Sequence, residues 1–256
     1  GVLDILVGIN PLEPLAEGEA EWVSNDIYMQ GWNVFDGSSA AETNSLLVAD
    51  EALFTAEDIG LLATDSNTLD ISGITGTRSL AESIHMTATD GYNDLTFDYV
   101  DIDDSDGGTG DVDMTSTNGN NDAVIHDSII DGNIVQDATN GSNSLYIDPS
   151  TVGEDILMTA EDGNNSAEII DTTVSGNLVM DADNGTTGSN TAILTRSDVG
   201  DGGDAIDMNA ADNNTLTFVG NDAPLSAING NIDMDAVNGY NAASISFADM
   251  NGDVSL

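Results

Sequence analysis

The side chains with most chemistry to offer in this chain are carboxylates. Asp101, Asp103, Asp104 and Asp106 form the densest group, and Asp198, Asp201 and Asp204 form a second. Oxygen-rich loops of this kind suit Ca²⁺, which takes about six to eight oxygen ligands. Two carboxylates about 5 Å apart repel by roughly 0.8 kcal/mol even in water. Calcium is therefore the expected counter-ion. Paired carboxylates could also perform acid–base chemistry on a glycosidic bond. With 47 Asp and Glu in the chain, no one pair stands out. His85 and His126 lie on different strands, and Arg78 and Arg196 in different repeats, so no nucleophilic triad or cationic site assembles. An enzyme is not expected. Four Asn-x-Ser/Thr sequons, at Asn140, Asn164, Asn184 and Asn213, are candidate acceptors for an Asn-linked glycan.

Charge and composition narrow the choice further. Two arginines, no lysine and 47 acidic residues give a net charge of −45 over 256 residues. Such a chain cannot neutralise nucleic-acid phosphates or bind an anionic membrane surface. No apolar run approaches the roughly 20 residues of a spanning helix. Cysteine is absent, which removes disulfides and thiolate metal sites. The Gly-Val-Leu start and the scarcity of trypsin sites point to a processed, secreted protein at the cell surface.

These residues sit in a repeat. Its clearest copy begins at Asp155, and others begin at Asp26, Asp58, Ser83, Asp111, Asn133, Asn177, Ala205, Asn231 and, truncated, Asp253. The starts are spaced by 32, 25, 28, 22, 22, 22, 28, 26 and 22 residues, a period of 22 with insertions. The second residue of each copy is aliphatic, as in Ile84, Val112, Ile134 and Ile156. The fourth is methionine in seven copies: Met29, Met86, Met114, Met158, Met180, Met208 and Met234. The sixth is small. These three positions share one face of a strand. An Asn or Asp corner follows, with Gly after it in six copies, a vocabulary that tolerates left-handed backbone angles. A second strand then opens with Asn in every full copy: Asn44, Asn67, Asn93, Asn121, Asn143, Asn165, Asn190, Asn214 and Asn241. A third apolar position, such as Ile130, Val152 or Val174, precedes the next copy.

One copy cannot bury its own apolar face, but stacked copies can. The expectation is an all-β, three-sided parallel β-helix of about nine to ten coils of roughly 22 residues, adjacent coils lying about 4.8 Å apart. A side-chain amide carries both donor and acceptor, so stacked asparagines should bond coil to coil, where stacked aspartates would repel. The coil length, the aliphatic stacks and the Asn ladder resemble those of right-handed parallel β-helix proteins, a group that includes pectate lyases, tail spikes and bacterial adhesins. The resemblance covers residues 26–256 and implies the fold. The lyases of that group act on acidic sugars through Arg or Lys, which this chain nearly lacks. Gly107–Gly110 and Gly202-Gly203 resemble the calcium-binding β-roll repeat without its full order.

Residues 1–25 fall outside the repeat and form an apolar strand that caps the solenoid or serves assembly; residues 26–256 form the solenoid itself. Val2, Leu3, Ile5, Leu6, Val7 and Ile9 at one end, with Val254 and Leu256 at the other, are the candidate assembly residues. Strand addition at a sheet edge joins chains head to tail and does not close on itself. The expected function is a secreted structural protein that polymerises with copies of itself into an extracellular filament or surface layer. A calcium-stabilised adhesin is the alternative.

Overall fold

The computed structural model describes residues 2–7, 20–23, 26–30, 43–48, 52–55, 58–72, 79–103, 110–183, 186–200, 202–221 and 226–256, with side-chain surroundings for 59–71 and for those from 81 onward. Strands and the turns between them make up all of it, and no helix occurs among the described residues. The strands form three parallel sheets of ten strands each. The chain visits the first, second and third sheets in turn and then steps up one rung. The fold is a three-sided parallel β-solenoid. From Asn67 to Asn241 it completes about 7 turns of ~25 residues, so the 22-residue coil is the shortest unit and not the mean.

Register follows the repeat. In the third sheet Ile84 lies beside Val112, Met86 beside Met114 and Ala88 beside Ser116. In the first sheet Asn93 lies beside Asn121 and Phe97 beside Ile125. Every second residue points inward, and the inward rows are buried: Ile134, Ile156 and Leu178 in one, Met114, Met158 and Met180 in the next, Ala138, Ala160 and Ala182 in the third. Ile130, Val152 and Val174 supply the same from the second sheet. These rows form one continuous apolar core along the axis.

The N-terminal strand Val2–Val7 is the outermost strand of the first sheet and pairs with Thr43–Val48 of its own chain. Its register sets Leu3 beside Asn44. Ala20–Val23 and Asp26–Gln30 similarly begin the second and third sheets.

One expectation about the corners is overturned. Among the described residues, the Asn/Asp-Gly corner between the third and first sheets contains no left-handed residue. Its glycines answer to crowding: a Cβ on Gly119 would lie 1.6 Å from Gly91 O, and one on Gly141 1.8 Å from Gly119 O. Left-handed angles on residues other than glycine occur instead at the corner between the first and second sheets. They fall on Tyr99, Asp127, Asp171, Arg196 and Phe247, at φ of 46–56°. L-residues there each cost roughly 1–2 kcal/mol, and neighbouring coils must hold them in place.

Candidate functional site

Columns of polar side chains bond the coils together. The first is the predicted Asn ladder. Nδ2 of Asn93 donates to Asn121 Oδ1 at 2.8 Å, Asn121 to Asn143 at 2.9 Å, and Asn165 to Asn190 at 3.0 Å. These asparagines are almost wholly buried. The same amides also tie the corner shut. Asn143 Nδ2 reaches Gln136 O at 3.2 Å and Thr159 O at 2.6 Å, so each side chain spans two coils. A carboxylate has no proton to donate there, which accounts for Asn in every copy.

The second column was not foreseen. At the corner between the first and second sheets, Ser128, Ser150, Thr172 and Ser197 stand one above another. Ser128 N donates to Ser150 Oγ, Ser150 N to Thr172 Oγ1 and Thr172 N to Ser197 Oγ, at 3.1, 3.3 and 3.2 Å. Ser128 and Thr172 donate their own hydroxyls back to His126 O and Ile170 O. The hydroxyls of Ser128, Thr172 and Ser197 thus fix the exit of the left-handed turn at Asp127, Asp171 and Arg196. A hydroxyl residue two places before each second-sheet apolar position (Ile130, Val152, Val174, Val199) was the available signal.

The third column alternates charge. Asn133 N donates to Asp111 Oδ1, Asp155 N to Asn133 Oδ1 and Asn177 N to Asp155 Oδ1, at 2.7, 3.0 and 2.7 Å. Alternation keeps two carboxylates from meeting directly. The column breaks at the insertion preceding Asp204, where Asn177 Oδ1 is buried without a partner, and resumes with Asn231 Nδ2 donating to Asp204 Oδ1 at 3.0 Å and Asp253 N to Asn231 Oδ1 at 2.9 Å.

The two carboxylate groups are not brought together. Asp101 lies on the second-sheet strand Val100–Ile102 and Asp198 on Asp198–Val199, four rungs along the same sheet. Asp103 is exposed. Asp198 Oδ1 accepts from Ala227 N at 2.6 Å, and Asp204 Oδ1 from Asn231 Nδ2 at 3.0 Å. Asp104, Asp106, Asp201, Ile9 and Asn184 lie outside the described residues. Among the described residues no three His, Asp or Glu side chains are grouped to hold a metal ion. His85 faces Asp113 at 3.1 Å on the third sheet, whereas His126 packs against Tyr146 on the first. Arg196 makes a two-pronged ion pair with Asp171, beside a shallow groove of about 320 Å³ lined by Asp127, Pro149, Ser150 and Asp171. No helix among the described residues is long and apolar enough to cross a membrane.

The last coil differs from those inside. Asn241 Nδ2 donates to Met234 O at 2.7 Å, without the further bonds into a next coil that interior ladder members make. Ala243, Ile245, Ala248 and Met250 occupy inward rows yet are only partly buried. Val254 continues the row of Ile232 but is 45% exposed, and Leu256 is 62% exposed. The opposite end carries the outer edge of Val2–Val7.

These features define the class as a polar-laddered, three-sided β-solenoid. Comparison with protein-family models, curated proteins and solved structures finds no match for the chain.

Proposed function

We propose that this chain is an exported structural protein whose copies stack end to end into an extracellular filament or surface layer. The observation carrying this reading is the unbroken register of the Asn ladder and of the inward apolar rows from coil to coil, a pattern that a coil of another copy can extend. A parallel solenoid has unlike ends, so contact between them is heterologous and propagates. The edges also match in length: Val2–Val7 and Asn241–Ser246 are both six-residue strands of the first sheet. Continuing the register sets Leu3 of one copy beside Asn241 of the next. An amide-to-amide bond is missing there, which makes the joint the weakest rung of the rod.

Negative-stain microscopy of the chain with and without residues 1–10, in calcium and in chelator, tests this. Filaments from the intact chain that shorten to single rods on deletion support it. Single rods throughout would overturn it. A surface adhesion module is the second reading, favoured by the groove beside Asp171. Filling that groove with Thr151→Tyr, at an exposed position of its lining, should then abolish cell binding and leave assembly unchanged.

A further inference from the structure

The three sequons whose asparagine lies among the described residues, Asn140, Asn164 and Asn213, divide into two structural kinds. A glycan attaches to Asn Nδ2 and leaves Oδ1 and one N–H in place. Whether a folded coil accommodates it depends on what Nδ2 already does.

Asn164 is exposed. Its Oδ1 accepts from Ser189 N at 2.9 Å, and its own N donates to Ser142 Oγ at 3.1 Å. Asn213 repeats this arrangement two rungs away: Oδ1 accepts from Tyr240 N at 3.1 Å, and N donates to Ser189 Oγ at 3.3 Å. Among the described residues, neither Nδ2 makes a hydrogen bond. The coil uses the oxygen, and the nitrogen is spare. Asn140 is the reverse, because its Nδ2 donates to Thr117 O at 3.2 Å and to Asn118 Oδ1 at 3.0 Å. The middle residue of both free sequons is a buried ladder member, Asn165 or Asn214, and the third, Ser166 or Thr215, takes an outward position on the first sheet.

We propose that Asn164 and Asn213 are acceptor sites for Asn-linked glycans and that Asn140 is not. The donor is a polyprenyl-pyrophosphate-linked oligosaccharide. The anomeric C–O bond to pyrophosphate breaks, a C–N bond to Nδ2 forms, one amide proton is lost, and polyprenyl pyrophosphate leaves. The two sugars would project from one corner about 10 Å apart, taking two rungs of about 4.8 Å. That corner runs along the side of the rod, so both ends stay open for stacking. The proposal rests on the exported location in the reading above.

The first test is glycopeptide mass spectrometry, after Asp- or Glu-directed cleavage, of protein recovered from outside the cells that make it. Glycan on Asn164 and Asn213 with Asn140 bare is the expected result; bare Asn164 and Asn213, or an occupied Asn140, overturns it. The second test separates this from a failure of the export reading. The chain is expressed behind a leader through a eukaryotic secretory route. In a Thr186→Ala background, which removes the Asn184 sequon, two glycans are expected, one when Ser166→Ala is added, one when Thr215→Ala is added and none with both. No glycan, or a third one on Asn140, overturns the proposal whatever the native location.

Discussion

Asn165 donates its side-chain amide to Asn190 Oδ1 at 3.0 Å across 25 residues of chain. Asn143 makes the same bond to Asn165 at 2.9 Å across 22, and Asn67 to Asn93 at 2.9 Å across 26. The ladder keeps its geometry while coil length changes. Extra residues are therefore taken up between strands, and the buried amides hold the register.

Removing one rung should be costly. Asn143→Ala deprives Gln136 O, Thr159 O and Asn165 Oδ1 of a donor and Asn121 Nδ2 of an acceptor. Each buried group left unpaired costs about 1–3 kcal/mol. Denaturant unfolding should show a loss of several times the lower figure. Asn143→Asp should lose at least as much at neutral pH, because it buries a charge. A variant within 0.5 kcal/mol of wild type, roughly the scatter of surface changes, would contradict the ladder's role.

The hydroxyl column predicts a finer distinction. Thr172→Val removes the acceptor for Ser150 N and the donor to Ile170 O, while keeping the side chain's shape. Thr172→Ser retains both bonds. The Val variant should unfold with about 1–3 kcal/mol less stability, and the Ser variant should stay close to wild type. Equal losses in the two would show that packing, not the hydroxyl, holds this corner.

Crowding at the Asn-Gly corner predicts that Gly141→Ala is poorly tolerated, since its Cβ would lie 1.8 Å from Gly119 O. Overpacking of this sort costs about 1–3 kcal/mol. Thermal melts of the variant check this, and an unchanged Tm would mean the two coils can part at that corner.

Stability should rise as the solution is made mildly acidic. Asp94 and Asp122 lie side by side on neighbouring first-sheet strands. Desolvation pushes both carboxyls up, and the charge of Asp94 adds to the effect on Asp122. Desolvation, with the charge of Asp233, does the same to Asp207. A raised folded-state pKa contributes stability that is complete below the unfolded value of 3.8 and is lost as pH rises through the folded value. Asp171 runs the other way: its hydrogen bonds from Arg196 lower its pKa, and that contribution is lost as pH falls through the lowered value. Tm should therefore climb from pH 7 toward the ordinary carboxylate range. Asp122→Asn should raise Tm at pH 7 and flatten the climb. A Tm that falls steadily over that interval would contradict this.

Much of this structure is legible in the sequence because a solenoid writes each inward row once per coil. Ile156, Met158 and Ala160 recur above and below at fixed offsets, and the Asn row needs one chemical property that only an amide supplies. What stayed hidden depends on how corners turn. Tyr99 and Arg196 share a left-handed angle without sharing a side-chain type. The four rungs between Asp101 and Asp198, by contrast, follow from the repeat itself, since they belong to the copies that begin at Ser83 and Asn177. Residues 2–7 are apolar except for Asp4 and so lack the alternation of the other first-sheet strands, and Leu3 stands where the ladder has Asn, which hid their register with Thr43–Val48.

End-to-end stacking is tested most directly by a cysteine pair, since the chain has no cysteine of its own. Continued register sets Leu6 of one copy beside Ser244 of the next, on neighbouring strands about 4.8 Å apart. Leu6→Cys/Ser244→Cys should give a ladder of disulfide-linked multimers on a non-reducing gel after mild oxidation, and each single variant should remain monomeric. Monomer alone from the double variant, under conditions in which the wild-type chain is filamentous, would contradict the joint.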